Sequence, residues 1–310
     1  MKNLNVKIVG LGESGARAVS RMLVARVGQK ISADFVAVGN DENILLTSAT
    51  QKNIFLNRDT MTIQKNISET LGDANVIVLV AGLGSTAAAR TIPLILSHAH
   101  SHKAAVIAFA NLPSKLERNS RHENAAHCLS DLVKAETTFT LPTEKLFLFR
   151  LNRREIQLND LFTVADEIFC NGVKNFLDTL TSERKLSISD IKLGNAAFAY
   201  GEAEGNESSL AAMKNAVNFK LVDTDELQHT PKIFVHVTGG DLFFKSSADE
   251  AKKFLKTQIP SGAKLFWFVS KDSAVGDKVC VSIMFTRPPA FKVEKSNFPL
   301  LKNLLGRFQS

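Results

Sequence analysis

The clearest hydrophobic periodicity in the chain lies near its middle, over Leu158–Leu180. Apolar side chains recur there at steps of three and four residues, the spacing of one continuous stripe along an α-helix. A helix of this length would run roughly 33 Å at about 1.5 Å per residue. The pattern therefore predicts a long helix that is able to join two domains. Its stripe comprises Leu158, Leu161, Phe162, Ala165, Ile168, Phe169, Gly172, Val173, Phe176, Leu177 and Leu180.

Before this helix, short apolar runs typical of buried strands alternate with helical patterns. Strands that alternate with helices indicate a parallel sheet covered on both faces, which binds ligands at the carboxyl ends of its strands. In the alanine-rich helix that starts at Thr86, we expect Pro93 to cause a kink or a break in the first turns. The predicted strands are Val6–Val9, Phe35–Val38, Val76–Val80, Ala105–Ala110 and Phe139–Leu141.

After the helix, a second set of strands and helices predicts a smaller α/β unit with its helices on one face of a sheet. Helices are expected at Leu210–Val217 and Ala248–Thr257. Strands are expected from Gly194 and at Lys232–Val237, Lys264–Val269 and Val279–Phe285.

Composition narrows the class of protein. The 310 residues are 45% hydrophobic and 22% charged, which fits a globular chain of two domains. The net charge is +7, but Lys and Arg are scattered, so nucleic-acid binding is not expected as a main function. With no apolar signal region at the amino terminus, a cytoplasmic location is expected. Cys128, Cys170 and Cys280 are far apart and read as buried thiols.

A glycine turn follows the first predicted strand. Gly10, Gly12 and Gly15 have the spacing GxGxxG and precede a helical pattern, a layout that places backbone N–H groups around a phosphate. The residues alone leave open a tight strand-to-helix turn without a ligand. A dinucleotide-dependent oxidoreductase would rest on this turn only, because the second strand does not end in the expected acidic residue.

Several segments resemble the nucleotide-binding domain of FtsZ, the bacterial relative of tubulin: KIVGLGESGARAVSRML, DFVAVGNDENIL, NVIVLVAGLGSTAAART and LFTVADEIFCNGV. Farther on, VTGGDLFF and VCVSIMFT resemble the second domain of FtsZ. The resemblance implies an α/β tubulin/FtsZ fold with a Rossmann-like parallel-sheet nucleotide domain and a second smaller α/β domain. Its implied boundaries are 1–157 for guanine-nucleotide binding, 158–182 for the central helix and the start of the catalytic loop, 183–290 for the second domain and 291–310 for a tail.

The resemblance also implies a ligand, GTP or GDP, with or without Mg²⁺. Phe162 and Asp166 match the central-helix pair that stacks on guanine and accepts its hydrogens, and Glu117 and Arg121 match residues that hold the ribose. Without the resemblance, a core Phe beside a solvated Asp would be the preferred interpretation of the first pair, and the second would also be an ordinary helical ion pair. The other implied nucleotide-binding residues are Gly10, Gly12, Glu13, Ser14, Gly15, Arg17, Asn40, Gly82, Gly84, Ser85 and Thr86.

The phosphate loops depart from the family pattern. The first loop of relatives is nearly all glycine and then Asn, whereas this chain has Glu13 in the loop and Arg17 at its end. The family signature GGGTGTG is replaced by a run from Gly84 to Arg90 that contains three alanines. Alanine removes the close backbone approach and the hydroxyl groups, so we expect weaker phosphate binding. Arg17 and Arg90 are candidates to supply charge in compensation.

The catalytic loop is also altered. In the family this loop enters the pocket of the next subunit, where two carboxylates position the attacking water. Alignment places Asp190 on the second acidic position and Ser187 on the first, although a register shift of one or two residues stays open. We therefore expect GTP hydrolysis to be slow or absent, with Asp190 as the candidate catalytic residue.

Two functional hypotheses follow from the sequence. The first is an FtsZ-like guanine-nucleotide-binding protein of the cell-division cytoskeleton that self-associates head to tail into a homo-oligomer or filament, with weakened hydrolysis. The alternative is a nucleotide-free scaffold of the same fold that acts through FtsZ or other division proteins. No metal site is expected, since His98 and His102 lack further ligands and suit a helix carboxyl end. The apolar face of the tail has three interpretations: core, partner contact or, least favoured, membrane contact.

Overall fold

The structure is a computed structural model that describes residues 4–29, 31, 33–56, 59–143, 145–146, 158–181, 186–205, 208–219 and 221–287. The side chains of residues 158–162, 188, 224 and 245 are not included in this description. The predicted tail helix at 295–310 lies outside the described residues, as do residues 182–185 of the predicted catalytic loop.

The described strands form one ten-stranded sheet in the order β3-β2-β1-β4-β5-β6-β7-β10-β8-β9. The first seven strands in this order, from β3 at the edge to β7, are all parallel. Strand β8 is parallel to β9, and β10 lies between β7 and β8 and is antiparallel to both. The prediction of a mostly parallel α/β sheet is confirmed. The strands are β1 (Val6–Leu11), β2 (Ala33–Gly39), β3 (Lys52–Phe55), β4 (Val76–Gly82), β5 (Ala105–Leu112), β6 (Thr137–Pro142), β7 (Gly194–Glu204), β8 (Lys232–Gly239), β9 (Lys264–Lys271) and β10 (Lys278–Thr286).

The central helix has the bounds that the apolar stripe predicts, Leu158–Leu180. None of the helices in the described part of the chain is long and apolar enough to cross a membrane. The helices are α1 (Gly12–Val24), α2 (Glu42–Thr47), α3 (Thr60–Leu71), α4 (Thr86–His102), α5 (Asn119–Leu132), α6 (Leu158–Leu180), α7 (Ile188–Ile191), α8 (Ser208–Val217), α9 (Thr224–Gln228) and α10 (Ala248–Gln258).

Helix α4 corrects one sequence expectation. It continues unbroken from Thr86 to His102 with Pro93 inside, so of the two expected alternatives the break is wrong, and a kink at Pro93 stays a prediction. A proline inside a helix costs about 3 kcal/mol. Ile92 and Ile95 of α4 are each only 1% exposed, and their burial against the sheet offsets that cost.

Two apolar clusters cover the two faces of the sheet. Alternate residues of β1 belong to different clusters: Val6 and Ile8 to one, Val9 and Leu11 to the other. Because side chains of a strand point alternately to opposite faces, the clusters lie on opposite sides. Helices α1 and α6 cover the first side, whereas α3, α4 and α5 cover the second. In the first half of the chain the sheet is thus buried on both faces, as the apolar strands predict.

The two halves of the chain share this sheet. Strand β6 pairs with β7 in parallel, with Thr137 opposite Gly194. Arg287, which follows β10, forms a buried ion pair with Glu226 of α9, with Arg287 Nε 3.3 Å from Glu226 Oε2. Arg287 Nη1 also donates to Thr140 Oγ1 of β6 at 3.2 Å. Backbone pairing and a buried charge therefore both connect the halves.

The turn between β1 and α1 is packed too closely for side chains. A Cβ atom added at Gly10 would lie 2.3 Å from the carbonyl oxygen of Gly15, and one added at Gly15 would lie 2.3 Å from that of Val80. These contacts press the first turns of α1 onto β1 and β4. Glycine at both positions is therefore a packing requirement, whether or not a ligand is bound.

We predict that Gly15→Ala lowers the free energy of unfolding by about 1–3 kcal/mol, because the added methyl group forces α1 away from the sheet. Chemical denaturation measures the change. Gly262→Ala is the matched control, since a Cβ there meets no atom within 4 Å. Equal stability of the two variants would contradict this account of the turn.

Candidate functional site

A pocket of about 650 Å³ lies at the carboxyl edge of the parallel strands. This volume is within the range of small-molecule sites. Segments that follow β1, β2, β4 and β5 supply its walls, so the position is the one expected for an open parallel sheet. The lining residues are Gly12, Glu13, Gly39, Asn40, Asp41, Ile44, Leu45, Gly84, Ser85, Thr86, Ala87, Leu116, Glu117, Arg118, Ser120, Arg121 and Asn124.

Many of the residues singled out in the sequence line this pocket: Gly12, Glu13, Asn40, Gly84, Ser85, Thr86, Glu117 and Arg121. Others lie beneath or beside it. Gly10 and Gly15 form the strand-to-helix contact, and a Cβ at Gly82 would lie 3.7 Å from Ser14. The side chain of Phe162 is outside the described residues. Arg17, Asp166 and Asp190 are not among the lining residues.

The amino termini of α1 and α4 meet at the pocket. Gly12 begins α1 with a φ of +72°, and a Cβ there would lie 3.0 Å from Ser85 Oγ. Ser85 caps α4, because its Oγ accepts a hydrogen bond from Ala88 N at 3.1 Å. Helix amino termini attract anions. Glu13, however, already places a carboxylate in the first turn of α1.

Helix α5 holds the loop after β4 in place. A Cβ at Gly84 would lie 3.0 Å from Arg121 Cβ and 3.1 Å from Arg121 Nε, so only glycine fits under this arginine without displacing it. Asn124 Nδ2 donates to the Gly84 carbonyl at 3.3 Å. The glycine that begins the altered phosphate loop is therefore needed for protein packing.

Some of the charged groups of the pocket already have partners within the protein. Glu117 forms an ion pair with Arg121, and its other oxygen accepts from Ser114 N at 2.7 Å. Asp41 caps α2 by accepting from Ile44 N at 3.2 Å. The pocket thus presents three carboxylates and two guanidinium groups, because Glu13 and Arg118 also line it. This balance attracts an anion less than a glycine-rich loop does.

Neither arginine considered as a phosphate ligand is free for that role. Arg90 Nη1 donates to the Leu56 carbonyl at 2.8 Å. Arg17 Nε donates to Asp166 Oδ2 at 2.7 Å, and Arg17 Nη2 reaches Asp166 Oδ1 at 3.5 Å. The sequence contains no signal for this second pair, because its residues are 149 positions apart.

Asp166 is 2% exposed and lies on α6 against α1. Burial raises the pKa of its carboxyl group, whereas the hydrogen bond and charge of Arg17 oppose that rise. One turn further along α1, Arg21 Nη2 lies 3.0 Å from Oε1 of Glu167, the residue after Asp166, and this pair is exposed to solvent. Two ion pairs of different burial thus join α1 to the central helix.

Comparison with known proteins agrees with this fold. No family model matches the chain. The cell division protein FtsZ of Magnetospirillum gryphiswaldense is 22% identical over 306 residues, which is 91% of this chain and 54% of that protein. FtsZ 1 of Thermococcus kodakarensis is 23% identical over 91% of this chain and 80% of that protein. The chain thus spans about half the length of the first of these relatives.

Solved structures match a larger share of this chain. An empty FtsZ dimer from M. jannaschii has a TM-score of 0.81 and 22% identity, covering 93% of this chain and 89% of that one. CetZ2 from Haloferax volcanii, in a GTPγS-bound protofilament, has a TM-score of 0.77 and 14% identity, covering 99% and 100%. The chain is similar in sequence to FtsZ over most of its length and has the fold of FtsZ.

In this FtsZ-like chain, Asp190 is held by its own loop. Its Oδ2 accepts from Ser187 N at 3.0 Å and from Ser187 Oγ at 2.7 Å, which with the bond from Asp190 N to Ser187 Oγ forms a capping box. Its Oδ1 lies 3.0 Å from Lys264 Nζ. The hydrogen bonds from Ser187 and the charge of Lys264 hold the Asp190 pKa well below its usual range. Such a carboxylate is a weak proton acceptor.

The Asp190 loop of the FtsZ-like fold lies at the opposite edge of the sheet from the pocket. It immediately precedes β7, whose first residue, Gly194, is opposite the first residue of β6, Thr137. Because β6 is parallel to β5, and β5 to β4, this is the amino edge. Within one chain, therefore, Asp190 cannot reach the pocket.

The described residues contain no group of three metal-ligating side chains. Of the two histidines considered earlier, His98 Nε2 hydrogen-bonds the Gly72 carbonyl at 3.0 Å and His102 Nδ1 hydrogen-bonds the His98 carbonyl at 2.9 Å. Burial lowers the pKa of His98. These bonds place both rings in structural roles at the end of α4.

We predict that Asp190→Asn lowers the melting temperature at neutral pH, since it removes the charge that pairs with Lys264. The folded pKa is depressed below the ordinary value of 3.8, so the stabilisation is present above that pH and is lost as the pH falls below it. The difference in melting temperature between the two proteins should therefore narrow as the pH falls from 7 to 3. Asp277→Asn, at an exposed aspartate, is the control. A gap that persists unchanged at pH 3 would contradict the ion-pair account.

Proposed function

We propose that the chain binds a guanine nucleotide in the pocket at the carboxyl edge, self-associates head to tail, and hydrolyses GTP slowly or not at all. The observation that carries the proposal is the convergence of four strand-end segments on one pocket. In the FtsZ resemblance these same segments hold phosphate and ribose. The fold shared with FtsZ and CetZ supports the assignment.

The pocket has the general features of a nucleotide site. Two helix amino termini face it, Ser85 and Thr86 offer hydroxyl groups, and Arg118 and Arg121 supply positive charge. Glu13, Asp41 and Glu117 oppose the binding of phosphate. We therefore expect binding that is weaker than that of a glycine-rich relative.

Head-to-tail association follows from the positions of the pocket and the Asp190 loop. They lie at opposite edges of the same sheet, so a contact between the two edges would join different surfaces of successive copies. Contacts of that kind build rings or open filaments. The M. jannaschii FtsZ dimer and the CetZ2 protofilament support self-association in this fold.

Slow hydrolysis follows from the partners of Asp190. Phosphoryl transfer to water needs a group that orients and deprotonates the attacking molecule. Both Asp190 oxygens are hydrogen-bonded inside their own subunit, and Ser187, at the other predicted catalytic position, is bonded to Asp190. Loss of a positioned acid or base typically lowers a rate by about 10²–10⁴-fold.

A second candidate is the nucleotide-free scaffold, which the Arg17–Asp166 ion pair favours. The carboxylate expected to read guanine is already satisfied by a side chain of the protein. A chain that never releases this pair would keep the fold and act through protein partners such as FtsZ.

Equilibrium titration with GTP, GDP and ATP separates the two candidates. We expect saturable binding of both guanine nucleotides and much weaker binding of ATP, because a carboxylate on α6 pairs with the ring and amino hydrogens of guanine. ATP, which carries the same phosphates, is the matched control. Absence of saturable guanine-nucleotide binding at millimolar concentration would reject the first candidate in favour of the scaffold.

Phosphate release tests the hydrolytic step at protein concentrations high enough to pair subunits. We predict turnover at least about 100-fold below that of an ordinary FtsZ assayed in parallel. Asp190→Ala should change this residual rate little. Turnover comparable to the FtsZ control, abolished by Asp190→Ala, would show that Asp190 leaves its capping box to act on water.

A further inference from the structure

We propose that Arg17 is an internal competitor for the base end of the site: its guanidinium group occupies the Asp166 carboxylate, and guanine binds only when it displaces this group. The inference rests on the proposed function, which assigns Asp166 to the base. It adds a specificity-determining and self-inhibitory residue that is particular to this chain.

The position of Arg17 on α1 places the pair beside the pocket. Glu13 lines the pocket, and Arg17 follows it by four residues, so both lie on the same face of the helix. Asp166 faces α1 from the central helix, with its Oδ2 at 2.7 Å from Arg17 Nε. The ion pair therefore lies beside the pocket, one turn of α1 away from the lining residue Glu13.

Exposure shows which partner can move. The side chain of Asp166 is 2% exposed, whereas that of Arg17 is 39% exposed. Asp166 is fixed on a helix whose neighbouring residues form the core, since Val164 and Ala165 are 3% and 2% exposed. A long, flexible arginine at a partly open position can turn into solvent without disturbing that core.

The chemistry of the pair resembles that of a bound base. A guanidinium group presents planar N–H donors that fit the two oxygens of a carboxylate. The ring N–H and amino group of guanine present the same pair of parallel donors. Because the Asp166 oxygens are already engaged by Arg17 Nε and Nη2, the carboxylate cannot serve both partners. Adenine lacks the ring N–H donor and should compete poorly with Arg17.

The expected size of the effect follows from population arithmetic. The apparent affinity equals the intrinsic affinity multiplied by the fraction of molecules that are in the binding-competent state. Hydrogen bonds to charged groups contribute enough to shift such an equilibrium by roughly tenfold to a hundredfold. Removal of the guanidinium should therefore tighten guanine binding by about that factor.

The neighbouring Arg21–Glu167 pair supplies the control. It joins the same two helices by an ion pair at 3.0 Å, but its side chains are 42% and 49% exposed. Arg21→Ala removes one positive charge from α1, as Arg17→Ala does, and leaves Asp166 paired. A general effect of charge on phosphate binding would appear equally in both variants.

The test is titration of GDP and ADP against the wild type, Arg17→Ala, Arg17→Lys and Arg21→Ala, with cooperative melting confirmed for each protein. We expect Arg17→Ala to bind GDP about tenfold to a hundredfold more tightly than the wild type, with ADP unchanged. Arg17→Lys keeps the charge but lacks the planar pair of donors, so its affinity for GDP should lie between those of the wild type and Arg17→Ala. Arg21→Ala should match the wild type.

Free guanidinium ion provides a second readout. At concentrations of a few tens of millimolar it should weaken GDP binding to Arg17→Ala more than an equal concentration of sodium ion does, because it can reoccupy Asp166. Should Arg17→Ala fail to fold, Arg17→Lys carries the test, and a dissociation constant equal to that of the wild type would overturn the inference.

The outcomes also separate this inference from the proposed function. If the wild type binds GDP and Arg17→Ala binds it equally or more weakly, the inference is overturned and the proposed function stands. If neither protein binds guanine nucleotide, both are overturned. If only Arg17→Ala binds, the internal competitor is supported, and the wild-type chain is held in a nucleotide-free state by its own side chain.

Discussion

Parallel pairing of β1 with β2 and β4 is the constraint on which the site depends. Because parallel strands end at the same edge, the turns after them are brought together although they are far apart in sequence. The close contacts of Gly10 and Gly15 then fix where α1 leaves the sheet. The pairing of β6 with β7 continues the sheet into the second half and places Asp190 at the other edge. The fold therefore separates a pocket from a loop that only another copy could bring to it.

Within this frame the polar groups of the site are paired with each other. Glu117 forms an ion pair with Arg121 in the pocket, and Arg17 forms one with Asp166 beside it. Such pairing keeps the side chains in place without a ligand, but a ligand must then compete for the same hydrogen-bonding atoms. Weak, guanine-selective binding and slow chemistry are the combined result that this account expects.

The sequence predicts much of the fold, for reasons that differ between elements. The central helix was correctly bounded because its apolar stripe runs for six turns. The buried strands of the first half were correctly located because their apolar runs are continuous, but each strand extends beyond its apolar run. Helix α2 and strand β3 were not predicted, since six and four residues carry too little periodic signal. The unbroken α4 depends on tertiary burial that outweighs the preference of Pro93.

The location of the site can be predicted from the sequence, but the ion pairs between its side chains cannot. Strand-end turns and the FtsZ resemblance predicted eight of the seventeen residues that line the pocket. The contact between Arg17 and Asp166 was not predictable, because it depends on how α1 packs on α6. One signal in the sequence was overlooked. Ser187 and Asp190 have the spacing of a capping box, a pattern that predicts the local role of the carboxylate seen in the structure.

The central claim is that guanine takes the place of Arg17 on Asp166. A crystal structure of the wild-type chain grown with saturating GDP tests it most directly. The account predicts electron density for the base with its donors on the Asp166 carboxylate, phosphates at the amino termini of α1 and α4, and Arg17 turned away from Asp166. A nucleotide bound with the Arg17–Asp166 pair intact, or with its base away from α6, would contradict it.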